Sequence, residues 1–478
     1  MMAESGKESM NTAKSPSVDQ REPRRRPGMN TRRHVRAMAA AYKAMYYCSG
    51  IFTAGHTTER IEADVFTGVS PVWESLFPEM PAEIDERNKT VAVTYLPDMP
   101  PRIAAWRPGL GSTQLPIGAT LDAVKYLPRL PEDLIIPNTD DEPWPQGDKE
   151  AAVTLPSPQA DALERVVKNA FDGEVYGGIT WGVVIVKDGR IISERYDESR
   201  GYDIHTPHRT NSAAKGFAVS VVGAAVKQGL MDIYKKAPLP EWRTPGDPRR
   251  QITTNDLLHM CSGLYTERAG NPQQELYFGG VAATERSVVN IVDCMPGKRW
   301  VYAGSDTILA VRAVRTAIRD DARFHLFPFQ ELFWKIGMTR TTTETDWNGD
   351  FLMSGQAWST ARDFARFGIL YLNDGVWNGE RILPEGWSKY VATPAPDQPN
   401  MPDGRGYGAQ FWLFGPEQGL PEGVYTAAGA RGQYSMIIPS RNVVIVRRGF
   451  DIMDEQGQSG FRLTRFVSDV LKALETPA

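Results

Sequence analysis

Cysteine is scarce in this chain: Cys48, Cys261 and Cys294 are the only three in 478 residues, widely separated and with no Cys-x-x-Cys. Their spacing gives no zinc site, and an odd, scattered set neither proves nor excludes an oxidising compartment. Histidine is also rare, at six residues, and His205-x-x-His208 lacks both a His-Glu-x-x-His frame and a neighbouring carboxylate or thiol cluster, so it reads as structural and no metal is expected. No apolar run approaches the roughly 18 residues a spanning helix needs, so no membrane span is expected. Excess charge is missing too. With 54 basic against 58 acidic residues the formal charge is -4, which leaves no basic surface of the kind nucleic acid requires. Gly-x-Ser-x-Gly is absent, which weighs against an α/β-hydrolase nucleophile elbow. Gly109-Leu110-Gly111 sits in proline-rich sequence without strand-to-helix context, so no phosphate loop and no cofactor are expected.

What is present is Ser212-Ala213-Ala214-Lys215, the one Ser-x-x-Lys in the chain, running into the apolar stretch Gly216 to Val226. Residues three apart share a helix face, so the Lys215 amine can reach the Ser212 hydroxyl and take its proton. A helix apolar nearly all round is a buried one. Burial disfavours the ammonium form, which is what a lysine needs to act as a base. Thr210 or Asn211 is expected to cap the helix start, leaving Ser212 in the first turn, where free N–H groups favour developing negative charge.

The length suggests two to three units of about 150 residues. Residues 1–34 are polar, contain Arg24-Arg25-Arg26 and have no aromatic residue, and read as a disordered basic tail. Thr31-Arg32-Arg33-His34-Val35-Arg36 resembles a twin-arginine export signal, but Lys43 interrupts the apolar region such a signal needs. A cytoplasmic location is the expectation, with the periplasm left open. Met38, Tyr42, Met45 and Tyr46 fall at helical spacing and predict an amphipathic helix against the body. Residues 35–150 are rich in proline and read as an extension that packs on a core without forming one. It can cap the mouth of a site, cover a sheet or mediate dimer contacts.

The core is expected over 151–478. Gln159 to Phe171 has helical periodicity, and Thr180 to Val186 with Arg190 to Tyr196 reads as a hairpin. A second hairpin is expected from Tyr434 to Ile438 and Val443 to Val446, then a helix from about Gly460 to Leu474. Thr253 to Met260, Ser287 to Cys294, Thr307 to Ile318, Phe329 to Ile336 and Thr360 to Leu372 all read as helices. Strands at both ends with helices between them predict an α+β fold: one antiparallel sheet flanked by helices, with a mostly helical insert at about 216–360.

With these residues in order, the chain resembles the serine β-lactamase and penicillin-binding-protein superfamily, in particular the class C β-lactamase-related branch with its esterases and 6-aminohexanoate-dimer hydrolases. The resemblance covers roughly 160–474. Ser212 to Lys215 matches the nucleophile motif, Ile252 to Leu264 the structural helix and turn, and Tyr302-Ala303-Gly304 falls where the family has Tyr-x-Asn. Ser359 to Gly368 and Gly406 to Trp412 are typical of the branch. The resemblance implies a β-lactamase/DD-peptidase-like fold and an acyl-enzyme on Ser212, with Lys215 as base and Tyr302 as acid and base. It also implies an oxyanion hole from the backbone N–H groups of Ser212 and Ala430.

Two departures bear on substrate. Gly304 replaces the amide that helps hold an acylamide, and Ala427-Ala428-Gly429 replaces Lys-Thr-Gly, removing a carboxylate partner that Arg431 can replace. Gly304, Gly429 and Arg431 are therefore the expected substrate-binding positions. The expected partner is a small to medium amide or ester. A D-amino-acid peptidase or weak β-lactamase is the alternative, and a noncatalytic binding protein of the same fold is the alternative from another class. Oligomeric state stays open, a homodimer included.

Overall fold

The computed structural model describes residues 29–149, 152–266, 273–452 and 460–477. Most of the tail expected at 1–34 lies outside them. The first element is helix α1, Met29–Phe52, which starts six residues before the expected boundary at 35. Its alanine-rich face and Met45 pack on a four-stranded antiparallel meander, β1 (Ala82–Asp85), β2 (Thr90–Val93), β3 (Arg102–Arg107) and β4 (Gly111–Gln114). Ala40, Ala44 and Cys48 on the helix and Val91, Val93 and Ala104 on the strands are fully buried together. The extension thus forms a hydrophobic core, closed by Phe278 and Trp358 from the rest of the chain, which corrects the expectation that it packs on a core without forming one.

Two buried arginines hide this sheet in the sequence. Arg102 donates to the carbonyls of Ala37 and Phe278 and to Gln114, while Arg107 donates to the Pro128 carbonyl and to Thr345. Carbonyl acceptors let a guanidinium be buried without a carboxylate, and they break the alternation that marks a strand.

The second body is built on a seven-stranded antiparallel sheet. Helix α2 (Ser157–Asp172) precedes strands β5 (Thr180–Lys187) and β6 (Arg190–Tyr196), and helices α3 (Ala214–Lys227), α4 (Gly304–Ile318) and α5 (Ala361–Leu372) follow. The chain then returns through β7 (Gly406–Tyr407), β8 (Trp412–Phe414), β9 (Val424–Gly429), β10 (Gln433–Ile438) and β11 (Val443–Gly449) to helix α6 (Leu463–Leu474). Sheet order is β7-β8-β9-β10-β11-β5-β6, so the last strand pairs with the first of the core, Val444 opposite Val186.

Both faces are covered, and the strands show it. Val183, Ile185 and Ile445 face Leu163, Val167, Phe466 and Val470 of α2 and α6, while Val184, Val186, Val444 and Val446 face Phe364 and Phe367 of α5 and Phe217 of α3. Alternate residues point to opposite faces, so a strand buried on both reads as one unbroken apolar run. Each such side chain contributes about 1.5–3 kcal/mol. Where β11 leaves the apolar layers it carries Arg447, fully buried and clamped by Asp451 at 2.7 and 2.8 Å.

Two helix expectations are corrected in the insert. Helix occupies Ala283–Val288 instead of 287–294, and Val292 bridges to Leu264. Phe329–Ile336 is a wide π turn followed by a 3-10 turn, because Pro328 at the end of the preceding helix has no N–H to continue the ladder. Among the described residues no helix is long and apolar enough to cross a membrane.

Candidate active site

Ser212 lies in the 3-10 turn Asn211–Ala213 that leads directly into α3. Neither Thr210 nor Asn211 caps this start with its side chain, contrary to the sequence expectation. Asn211 has a different task. It takes φ 47°, a left-handed conformation that asparagine tolerates, and braces the turn from both sides. Its Oδ1 accepts from Arg209 Nη2 and its Nδ2 donates to the Ala430 carbonyl, each at 2.8 Å. The nucleophile turn is thereby tied to the β9–β10 connection. Gly429 makes that approach feasible, since a Cβ there would stand 2.1 Å from the Thr210 carbonyl oxygen and 3.0 Å from the Ala213 nitrogen.

Lys215 is 1% exposed. Its Nζ donates to the Ser354 carbonyl at 2.6 Å and to Ser212 Oγ at 3.4 Å, and stands 4.8 Å from the centroid of the Tyr302 ring. Ser212, Lys215 and Tyr302 are therefore brought together. The Tyr302 ring is fixed by stacking on Trp412, centroids 5.6 Å apart, and by the edge of Tyr407 at 5.7 Å. These rings belong to β7 and β8, so the end of the sheet sets the position of a residue that enters α4.

Ser212 and Tyr302 open into a cleft of about 660 Å³, lined also by Ser354, Trp412 and Ala428 to Ala430, while Lys215 stays buried. The extension lines it as well, with Tyr42 and Tyr46 of α1 and with Val69 and Trp73.

Two expected binding positions do not face the cleft. Gly304 is buried at the start of α4, and the space its side chain would enter is filled by Leu276, the Tyr277 hydroxyl and Ser354 Oγ. Arg431, at φ 62°, turns its guanidinium away, donating to the Thr67 carbonyl at 2.8 Å and lying over Phe450. Several cleft residues carried no assigned role in the sequence. Tyr277 bonds Ser354 through the two hydroxyls at 2.5 Å. Arg209, three residues before the nucleophile, lines the cleft with its guanidinium 3.9 Å from the Tyr46 ring centroid. Trp412 lies inside the Gly406 to Trp412 motif the sequence singled out, and Arg209 directly precedes the Thr210–Asn211 start of the nucleophile helix, which is the signal that was available for them.

His205 and His208 do not act as a pair. His208 is buried among Trp181 and Tyr202, where burial first, and then Arg448, holds its pKa well below the ordinary value. His205 stands near Asp140 and Asp148, but Asp148 is already bound by Arg366 at 2.8 Å and Arg362 at 3.1 Å. The three cysteines are all free.

Comparison with known proteins agrees with this architecture. The Beta-lactamase family model matches residues 167–447. A 6-aminohexanoate-dimer hydrolase of Paenarthrobacter ureafaciens is 24% identical over 311 residues, covering 55% of this chain and 71% of the relative. Among solved structures, a family VIII carboxylesterase superposes with a TM-score of 0.52 at 15% identity, over 66% of this chain and 98% of the other. A penicillin-binding protein homologue from Caulobacter crescentus gives 0.51 at 15% identity, over 67% and 99%. The family match alone spans more than half of the sequence: the chain belongs to the Beta-lactamase family.

Proposed function

We propose that the protein hydrolyses a linear amide or ester of small to medium size through an acyl-enzyme on Ser212. The observation that carries this reading is the buried Lys215 amine beside the hydroxyl of Ser212, which lines an open cleft. Lys215 takes the Ser212 proton as the Oγ–carbon bond forms, and the carbonyl electron pair moves onto oxygen. The N–H groups of Ser212 and Ala430 receive that oxyanion, such donors being worth about 3 kcal/mol each. Collapse breaks the bond to the leaving alcohol or amine, which takes its proton through the Tyr302 hydroxyl. Water, giving up a proton along the same route, then releases the acid and restores Ser212.

The absence of an amide at Gly304 and of a cation at Ala427 weighs against penicillins, and Arg431 does not make good the second loss because it is bound to Thr67. The relative that cleaves an aminohexanoate dimer supports a linear substrate. The test is pre-steady-state hydrolysis of p-nitrophenyl acetate. A burst approaching one nitrophenolate per chain, with acylation slowed by about 10²-fold or more in Lys215→Ala, is expected. No burst and no steady-state hydrolysis of any ester or anilide would remove the proposal.

A further inference from the structure

The charge balance of the cleft points to the kind of substrate it takes. Three of its lining residues are arginines, Arg209, Arg405 and Arg462, against one carboxylate, Asp403. Asp403 lies beside Arg405, Oδ2 to Nε at 3.4 Å, and Arg462 reaches out of the cleft to the Val175 carbonyl at 3.2 Å. Arg209 differs from both. Among the described residues no carboxylate lies within ion-pair distance of it, although it is partly buried and close to the nucleophile in sequence and space.

Its bonds are to neutral groups. Nη1 donates to the Tyr42 hydroxyl at 3.0 Å, Nη2 to Asn211 Oδ1 at 2.8 Å, and the flat face stacks on Tyr46. Each terminal nitrogen keeps a second N–H. Glu344 acts on this charge only through space: its Oε1 is held by Ser49 Oγ at 2.5 Å and the Ser112 N–H at 3.3 Å, and burial pushes its pKa to about 7. Arg102 and Arg107 are enclosed in the protein and met by backbone carbonyls, whereas Arg209 lines the open cleft. Among the described residues no carboxylate and no backbone carbonyl accepts from its guanidinium, and the cleft opens beside it.

We infer that Arg209, held on the Tyr42–Tyr46 shelf that the extension supplies, is a specificity-determining residue that receives a carboxylate of the substrate. The inference rests on the hydrolase reading above and names its substrate class: a carboxylate-bearing linear amide or ester. It also gives the extension a part in substrate choice, because two of the three groups that position Arg209 belong to α1.

The test compares two p-nitrophenyl esters of adipic acid, one with a free terminal carboxylate and one methylated there, each corrected for its spontaneous hydrolysis. A charge-assisted, two-pronged contact predicts kcat/KM about 10–100-fold higher for the anionic ester in wild type. The ratio is expected to fall toward one in Arg209→Gln, to recover in part in Arg209→Lys, and to shrink with added salt. A purely bracing role for Arg209 lowers both esters together and leaves the ratio intact, which overturns the inference, as does a wild-type ratio of one.

Labelling of Ser212 by a neutral fluorophosphonate reports whether each variant has an assembled cleft. Should the variants fail to fold, protection of wild-type Ser212 decides the matter: hexanoate is expected to slow labelling at much lower concentration than hexanol, and equal protection refutes the site. Protection without turnover of either ester would instead sink the hydrolytic reading and leave the anion site standing.

Discussion

Gly429→Ala is the substitution in which one methyl group should have the largest effect on the site. Gly429 does not have positive φ, so the backbone itself accepts alanine. The consequence is steric: the new carbon would stand 2.1 Å from the Thr210 carbonyl oxygen and 3.0 Å from the Ala213 nitrogen, both backbone atoms of the nucleophile turn. An ordinary contact of this kind is about 3.2–3.5 Å, so β9 and the turn must separate by roughly 1 Å. That moves the Ala430 N–H away from Ser212 and strains the Asn211 bond to the Ala430 carbonyl.

A misplacement of about 1 Å costs on the order of 10²-fold in rate, and overpacking costs about 1–3 kcal/mol of stability. The assay is ester turnover and the rate of fluorophosphonate labelling, with stability from urea unfolding. Gly415→Ala is the control, since no atom lies within 4 Å of its added carbon and its φ is -169°. Gly429→Ala activity within about two-fold of the control would refute the claim that this contact sets the oxyanion site.

Three further outcomes are expected. Glu344 has its folded pKa raised by burial from 4.5 to about 7, so the folded chain holds a proton that the unfolded chain releases in that interval; stability is full below about pH 4.5 and is lost as pH rises to about 7. Glu344→Gln should therefore gain on wild type by up to about 3 kcal/mol between pH 4 and pH 8 in urea unfolding, and a pH-independent difference would contradict this. Asp451→Asn leaves the fully buried Arg447 without its carboxylate and should cost about 3–5 kcal/mol, read from the unfolding midpoint, while a loss under about 1 kcal/mol would mean the pair does not hold β11. Tyr302→Phe keeps the ring that stacks on Trp412 and removes the hydroxyl; kcat should fall by about 10²-fold or more with unfolding unchanged, and unaltered turnover would take Tyr302 out of the proton route.

The parts of the fold legible in the sequence are those where pattern and environment coincide. The hairpins around Gly189 and Asn442 stand out because β5, β10 and β11 are buried on both faces, with β6 the half-exposed partner of β5, and Ser212 with Lys215 stands out because the helix behind them is apolar nearly all round. The sheet at 82–114 was hidden because its strands are four to six residues long and two of its buried positions are arginines satisfied by distant carbonyls. Arg209 meets Tyr42 across 167 residues of chain, so no local pattern announces that the extension builds a wall of the cleft. Arg431 misled for the opposite reason. Its position at the end of β9 suggested a substrate contact, and a left-handed backbone angle turns the side chain away.

The most direct test of the account is intact-mass measurement after exposure to a fluorophosphonate, comparing wild type with Ser212→Ala. The account predicts one adduct per chain on wild type and none on the variant. An adduct of equal size on both would place the activated serine elsewhere, and no adduct on wild type would contradict an activated nucleophile at the head of α3.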